Sequence, residues 1–103
     1  MKLFPVSIIT PYGNIFNDEV VSIVAPGQEG FLGVMANHAS MFTLIKEGVL
    51  EIKTKDSHRI FYAVSSGILE VNQQGQALML IDSAVSIDKK DIDQKQLSDL
   101  IAR

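Results

Sequence analysis

A chain of 103 residues, 47% of them apolar, has room for one domain and the material for one real core. Nine basic against twelve acidic residues leave a net charge of −3, so there is no positive field to hold a phosphate backbone and nucleic acid is excluded as a partner. Cysteine is absent, which removes disulfides, thiolate metal sites and cysteine nucleophiles together. Mean hydropathy is positive, which leaves apolar surface for partners to cover. No apolar run approaches the ~18 residues of a membrane span. The start, MKLFPVSIIT, has one lysine, an early proline and no small-residue cleavage site, and so reads poorly as a signal peptide. A cytoplasmic or cytoplasm-facing location is expected.

In chain order, residues 3–10 are rich in Val, Ile and Phe and end at Pro11-Tyr12-Gly13-Asn14, which predicts a strand followed by a turn. Pro5 near its start suits an edge position. Ile15-Phe16 reads as a short second piece before Asn17-Asp18. Residues 19–25 (EVVSIVA) carry β-branched side chains on both faces and predict a strand covered on both sides. Strands are also expected at 31–35, 40–45, 49–54, 59–64, 67–71 and 77–81. In the 49–54 segment Leu50, Ile52 and Thr54 point one way and Val49, Glu51 and Lys53 the other. Turn signals recur every eight to twelve residues, the spacing of an all-β sandwich or barrel.

The stretch from Ala25 to Thr43, APGQEGFLGVMANHASMFT, organises this pattern. Gly27, Gly30 and Gly33 recur at every third position behind Pro26, a backbone made to turn sharply and re-enter a sheet. Phe31, Met35, Met41 and Phe42 cluster in and after it. If they fill the core they are ordinary; if some are exposed, Met41 and Phe42 among them, they form a protein-docking face. After Ala84 the character changes. Ser86 to Lys95 has three aspartates, three lysines and no strand pattern, so a sandwich over 1–85 is expected to give way to a linker and helix over 86–103. Asp93 and Gln96 resemble a capping box, and Leu97, Leu100 and Ile101 share one helical stripe. A helix of about ten residues does not persist alone and must pack on something.

The search for catalytic chemistry returns little. His38 and His58 have no carboxylate at ligand spacing, and they read as turn or interface residues. G-x-x-G-x-x-G is neither the dinucleotide nor the P-loop pattern, and it leads into a strand where a phosphate cradle needs a helix N-terminus. Ser65-Ser66-Gly67 lacks the nucleophile elbow. Asp82 reads as a strand-end cap. No catalytic, metal or cofactor site is expected.

The run Pro26-Gly27-Gln28-Glu29-Gly30-Phe31-Leu32-Gly33-Val34, followed by His38-Ala39 and Leu44, resembles the signature of the epsilon subunit of rotary F-type ATP synthases, roughly PGxEGxxGVLPGHAP. Gly48-x-Leu50-x-Ile52, Gly67-Ile68-Leu69-Glu70-Val71, Leu80-Ile81-Asp82-Ser83-Ala84 and Asp91-Ile92-Asp93 follow in the family's order, over nearly the whole chain. The resemblance implies a mainly β fold, a two-sheet sandwich of about ten short strands followed by a short C-terminal α-helix. It implies a non-catalytic central-stalk rotor subunit of a proton- or sodium-driven enzyme. Such a subunit holds gamma, docks the stalk on the polar loops of the c-ring and touches the catalytic head indirectly. It is peripheral to the cytoplasmic face of an energy-transducing membrane. Carried over by match, Gln28, Glu29, Gly30 and Phe31 face the ring, His38 lies in the adjoining segment near gamma and the ring, and Thr10 lies on the gamma side.

The departures carry their own expectations. Phe31 stands where an acidic residue is common, which implies an apolar ring contact. Ala36-Asn37 replaces Pro-Gly, so Asn37 is expected in the left-handed region. Ser40 replaces a proline, and Ser66 the first of two glycines. Ile92-Asp93-Gln94-Lys95-Gln96-Leu97 lacks the arginine and alanine of the ATP-binding motif found in some members, and the chain ends at Arg103, inside the first of two family helices. No ATP site and no inhibitory helical hairpin are expected. The alternatives are an unrelated β-sandwich module for a peptide or sugar, weakened by the absence of Trp and only two Tyr, and a small enzyme, for which no constellation exists.

Overall fold

The computed structural model describes residues 2–92. Strands follow the glycine, proline and asparagine punctuation: β1 (Phe4–Thr10), β2 (Gly13–Gly27), β3 (Gly30–Met35), β4 (Met41–Ile45), β5 (Gly48–Thr54), β6 (Arg59–Val64), β7 (Gly67–Val71), β8 (Ala77–Ile81) and β9 (Ala84–Ile87). A 3₁₀ turn at Lys89–Asp91 follows. The helix expected from Asp93 onward lies outside the described residues.

Strand β2 belongs to two sheets. Its first half pairs antiparallel with β1, from Thr10↔Gly13 to Phe4↔Val20. Its second half pairs with β3 on one side and β5 on the other. Between them the register to β5 slips, with Val20 opposite Thr54 and Ser22 opposite Lys53. Val21 is the extra residue, and a bulge of this kind changes the side-chain parity and bends the strand. Val20 faces the main core before it, and Ile23 and Ala25 face the same core after it. A strand that turns a corner through a bulge is a standard way to pass from one sheet to another.

One sheet therefore runs β2–β1–β8–β7–β4, with β1 and β8 parallel, and the other runs β3–β2–β5–β6–β9. Strand β4 closes back on β2 at Gly27↔Ile45. The inner faces share one core: Val6, Ile8, Leu69, Val71 and Met79 from the first sheet meet Ile23, Leu50 and Ile52 from the second. Fully burying a side chain of this size contributes about 1.5–3 kcal/mol. A second cluster lies on the outer face of the second sheet, where Val49, Phe61 and Ile92 pack with Val24, Phe31 and Ile87. Strand β5 is thus buried on both sides, and residues 20–25 are buried or half-buried on both, as their β-branched content predicts, while Glu19 stays exposed.

Two expectations need correction. Ile15-Phe16 is not a separate piece: β2 runs straight through Asn17-Asp18, held by the β1 ladder and a bond from the Ser7 hydroxyl to Asn17 Oδ1 at 3.0 Å. The strand pattern also does not stop at Ala84, because Ala84–Ile87 pairs with Phe61–Val64 as β9. Asn37 does sit in the left-handed region, at φ 67.

Gly67 tests the packing. A Cβ there would meet the Leu80 carbonyl oxygen at 2.2 Å, whereas at Gly33 it would meet nothing within 4 Å. Gly67→Ala is expected to cost about 2 kcal/mol or more through overpacking against backbone. Gly33→Ala should be neutral or stabilise by a few tenths of a kcal/mol to ~1 kcal/mol. Denaturation midpoints of the two variants check both expectations.

Candidate functional site

Two surfaces stand out. The first is one end of the sandwich. Gln28 and Glu29 form the two-residue turn between β2 and β3, and both are exposed. Gly30 takes φ +126, a conformation that side chains rarely adopt, and a Cβ on Gly27 would lie 2.8 Å from the Gly30 carbonyl oxygen. The turn is anchored to β4 by Gln28 N–H to Leu44 O at 3.2 Å and Lys46 N–H to Pro26 O at 2.9 Å. A groove of about 490 Å³ opens beside it, lined in part by Gln28, Leu44, Lys46, Glu47, Ser66 and Asp82.

The same end carries the β1–β2 hairpin. The ladder from Gly27 passes through Ile45, Gly67 and Ile81. Ile81 follows Leu80, the partner of Ile9, so Thr10 ends the row. Four steps between strands place Thr10 roughly 19 Å from Gly27. Its side chain is buried and serves the hairpin: Oγ1 donates to Gly13 O at 3.4 Å and accepts the Tyr12 N–H at 3.1 Å. Tyr12 itself is 93% exposed.

His38 lies elsewhere. Strand β3 carries the chain about 17 Å from the glycine turn, at ~3.3 Å per residue, before the Ala36–Asn37 turn. There the His38 N–H donates to Met35 O, its Nδ1 lies 2.7 Å from Ala39 O, and Lys2 Nζ reaches Asn37 Oδ1 at 3.3 Å. The structure thus groups Thr10, Gln28, Glu29 and Gly30 at one end and sets His38 at the other. Phe31 is half-buried against the second cluster, so part of its ring is committed to packing. Met41 is half-buried against the main core.

The second surface is the outer face of the first sheet. Strand alternation turns Leu44, Ile68, Leu80 and Ile9 outward in one row across β4, β7, β8 and β1. Phe42, Glu70, Leu78 and Ser7 form the next. Phe42 is 64% exposed, Leu44 47% and Leu80 41%. Four strands give the face a width of about 14 Å. A contiguous apolar surface of this kind is a candidate docking site. The sequence shows these residues as apolar, but nothing in it separates them from core; only the strand order does.

Catalytic arrangements are not found among the described residues. No three His, Asp or Glu side chains converge as a metal site there. The ion pair Lys55–Asp18, at 3.5 Å, is exposed and contributes little. Burial at the edge of the core raises the Tyr62 phenol above its ordinary value. No described helix is long and apolar enough to cross a membrane.

The described residues form a two-sheet β-sandwich with a polar turn at one end and an exposed apolar face on one sheet. The family described as ATP synthase, Delta/Epsilon chain, beta-sandwich domain matches residues 3–87, and the chain belongs to that family. Relatives described as "ATP synthase epsilon chain" include one from Campylobacter concisus, 40% identical over 84% of this chain and 67% of its own length. Another, from Sulfurimonas denitrificans, is 35% identical over 96% of this chain and 77% of its own length. The chain therefore spans about two thirds to three quarters of these relatives. Among solved structures, a chain of the Euglena gracilis mitochondrial ATP synthase superposes with a TM-score of 0.79 at 23% identity, over 97% of this chain and 62% of that one. A chain of the Tetrahymena thermophila mitochondrial ATP synthase central stalk and c-ring gives 0.72 at 18%, over 92% and 73%. At those identities the likeness speaks for the fold.

The local role of Thr10 is testable. Thr10→Val keeps the shape and removes both hydrogen bonds, so it should cost about 1 kcal/mol. Tyr12→Ala, at an exposed tip, should stay within ~0.5 kcal/mol of wild type. Thermal unfolding of the two variants checks this.

Proposed function

We propose that this chain is a rotor subunit of the central stalk of an ATP synthase, with no active site of its own. It binds gamma through the outer face of the first sheet and meets the polar loops of the c-ring with the turn end of the sandwich. The observation that carries this reading is the exposed apolar face, whose two rows cross four strands. Gln28, Glu29 and Gly30 offer the ring a polar, rigid turn, and Phe42 is the centre of the gamma contact. Thr10 supports the hairpin that borders the gamma face, and His38 marks the opposite end of the sandwich. The subunit is peripheral, on the cytoplasmic face of the membrane, and couples ion flow to ATP synthesis through the complex.

The mechanical demand is torque transfer from ring to gamma. Short turns and a shared strand make a body that does not shear easily, and that suits the role better than a flexible helix pair. A sugar-binding platform is disfavoured because the exposed aromatics, Tyr12 at the tip of the β1–β2 hairpin and Phe42 on β4, stand on strands three steps apart in the first sheet.

Binding to gamma from the same genome is the test. Phe42→Asp should weaken association by roughly 30-fold or more, because it would place an unpaired charge in the contact, while leaving thermal stability close to wild type. Glu29→Lys should leave gamma binding intact and lower ATP-driven ion pumping of the reconstituted complex. Wild type that fails to bind gamma at micromolar concentration refutes the reading.

A further inference from the structure

Glu70 is the one charged residue in β1, β4, β7 and β8. It points outward from β7, with Phe42 directly opposite on β4 and Leu78 directly opposite on β8. Ile68 lies beside it on the same face of its own strand, and Leu44 and Leu80 stand on the diagonals. The carboxylate is exposed, and the four strands hold no lysine or arginine that could pair with it. On the free chain water solvates it. A partner that covers the surrounding apolar side chains strips that water, and a lone buried carboxylate is strongly unfavourable unless a cation meets it.

We infer that the surface docking on this face, gamma on the reading above, presents an arginine to Glu70, and that this contact sets the register of the interface. The guanidinium suits the place better than an ammonium. Its planar fork pairs with a carboxylate through two parallel hydrogen bonds, and its flat face stacks on an aromatic ring such as the neighbouring Phe42. The apolar rows by themselves are nearly uniform and would tolerate a slide by one strand spacing. A single charge at a fixed point does not, because any other register buries it without a partner.

The competing role for Glu70 is to keep the bare face soluble, as a charge that blocks self-association. The two roles predict opposite signs. The measurement is affinity and dissociation rate for the full gamma subunit, taken with wild type, Glu70→Gln and Glu70→Lys across a range of salt concentrations. Pairing predicts that Glu70→Gln dissociates roughly 30-fold faster and that its affinity depends less on salt. Glu70→Lys should be weaker still, and reversing one gamma arginine to glutamate should restore it. Unfolding of Glu70→Gln should match wild type, which separates the effect from stability. Equal or tighter binding by Glu70→Gln, with or without new self-association, overturns the pairing while leaving the rotor role in place. Normal binding by Phe42→Asp shows that the face is wrong, and failure of wild type to bind gamma removes the function as well; both overturn this inference.

Discussion

Strand β2 has to serve two sheets with one backbone, and a single extra residue at Val21 makes that possible. Without the bulge Val20 and Ile23 would face opposite sides, and one of the two halves would turn its apolar residues to water. With it, both halves feed the same core, from Phe4 opposite Val20 to Ile52 opposite Ile23. The geometry of the rest follows. The end of β2 meets the end of β4, so the glycine turn and the β1–β2 hairpin fall at the same end of the molecule.

That closure also decides what the first sheet can do. Its inner face is spent on the core, and its outer face has no helix or third layer over it among the described residues. The second sheet differs, since Val49 and Phe61 on its outer side are covered by Ile92 and its neighbours. Two sheets of similar composition therefore end with different surfaces, one partly closed by the chain itself and one open. A face built on a sheet rather than on a loop has its shape fixed in the free chain, which lowers the ordering cost of any binding to it.

The turns were legible in the sequence because they rest on local chemistry. Gly13 behind Pro11-Tyr12, Gly30 and Asn37 each announce a backbone conformation that few other residues accept. The sandwich class followed from their spacing. What could not be read was set by distant pairing. The Val21 bulge has no local signature, and Asn17-Asp18 mimics a break that the β1 ladder overrides. Strand β9 exists because β6 offers it an edge. The exposed apolar face was hidden for the same reason: Leu44, Ile68 and Leu80 look like core residues until strand order shows which way they point. Phe31, which the sequence leaves open between core and contact, is half-buried against the second cluster.

The parallel pairing of β1 with β8 joins the first described strand to the eighth, some seventy residues later, with Val6 beside Ala77 and Ile9 beside Leu80. During synthesis, then, β1 and β2 emerge as a lone hairpin with half a core and no neighbour on the β1 edge. An isolated hairpin is only marginally stable in water. The first sheet cannot close until almost the whole described chain has left the ribosome, and such non-local pairing is slow to form. In the interval the apolar rows of both its faces are open at once, the condition in which a partly folded chain is most prone to aggregate.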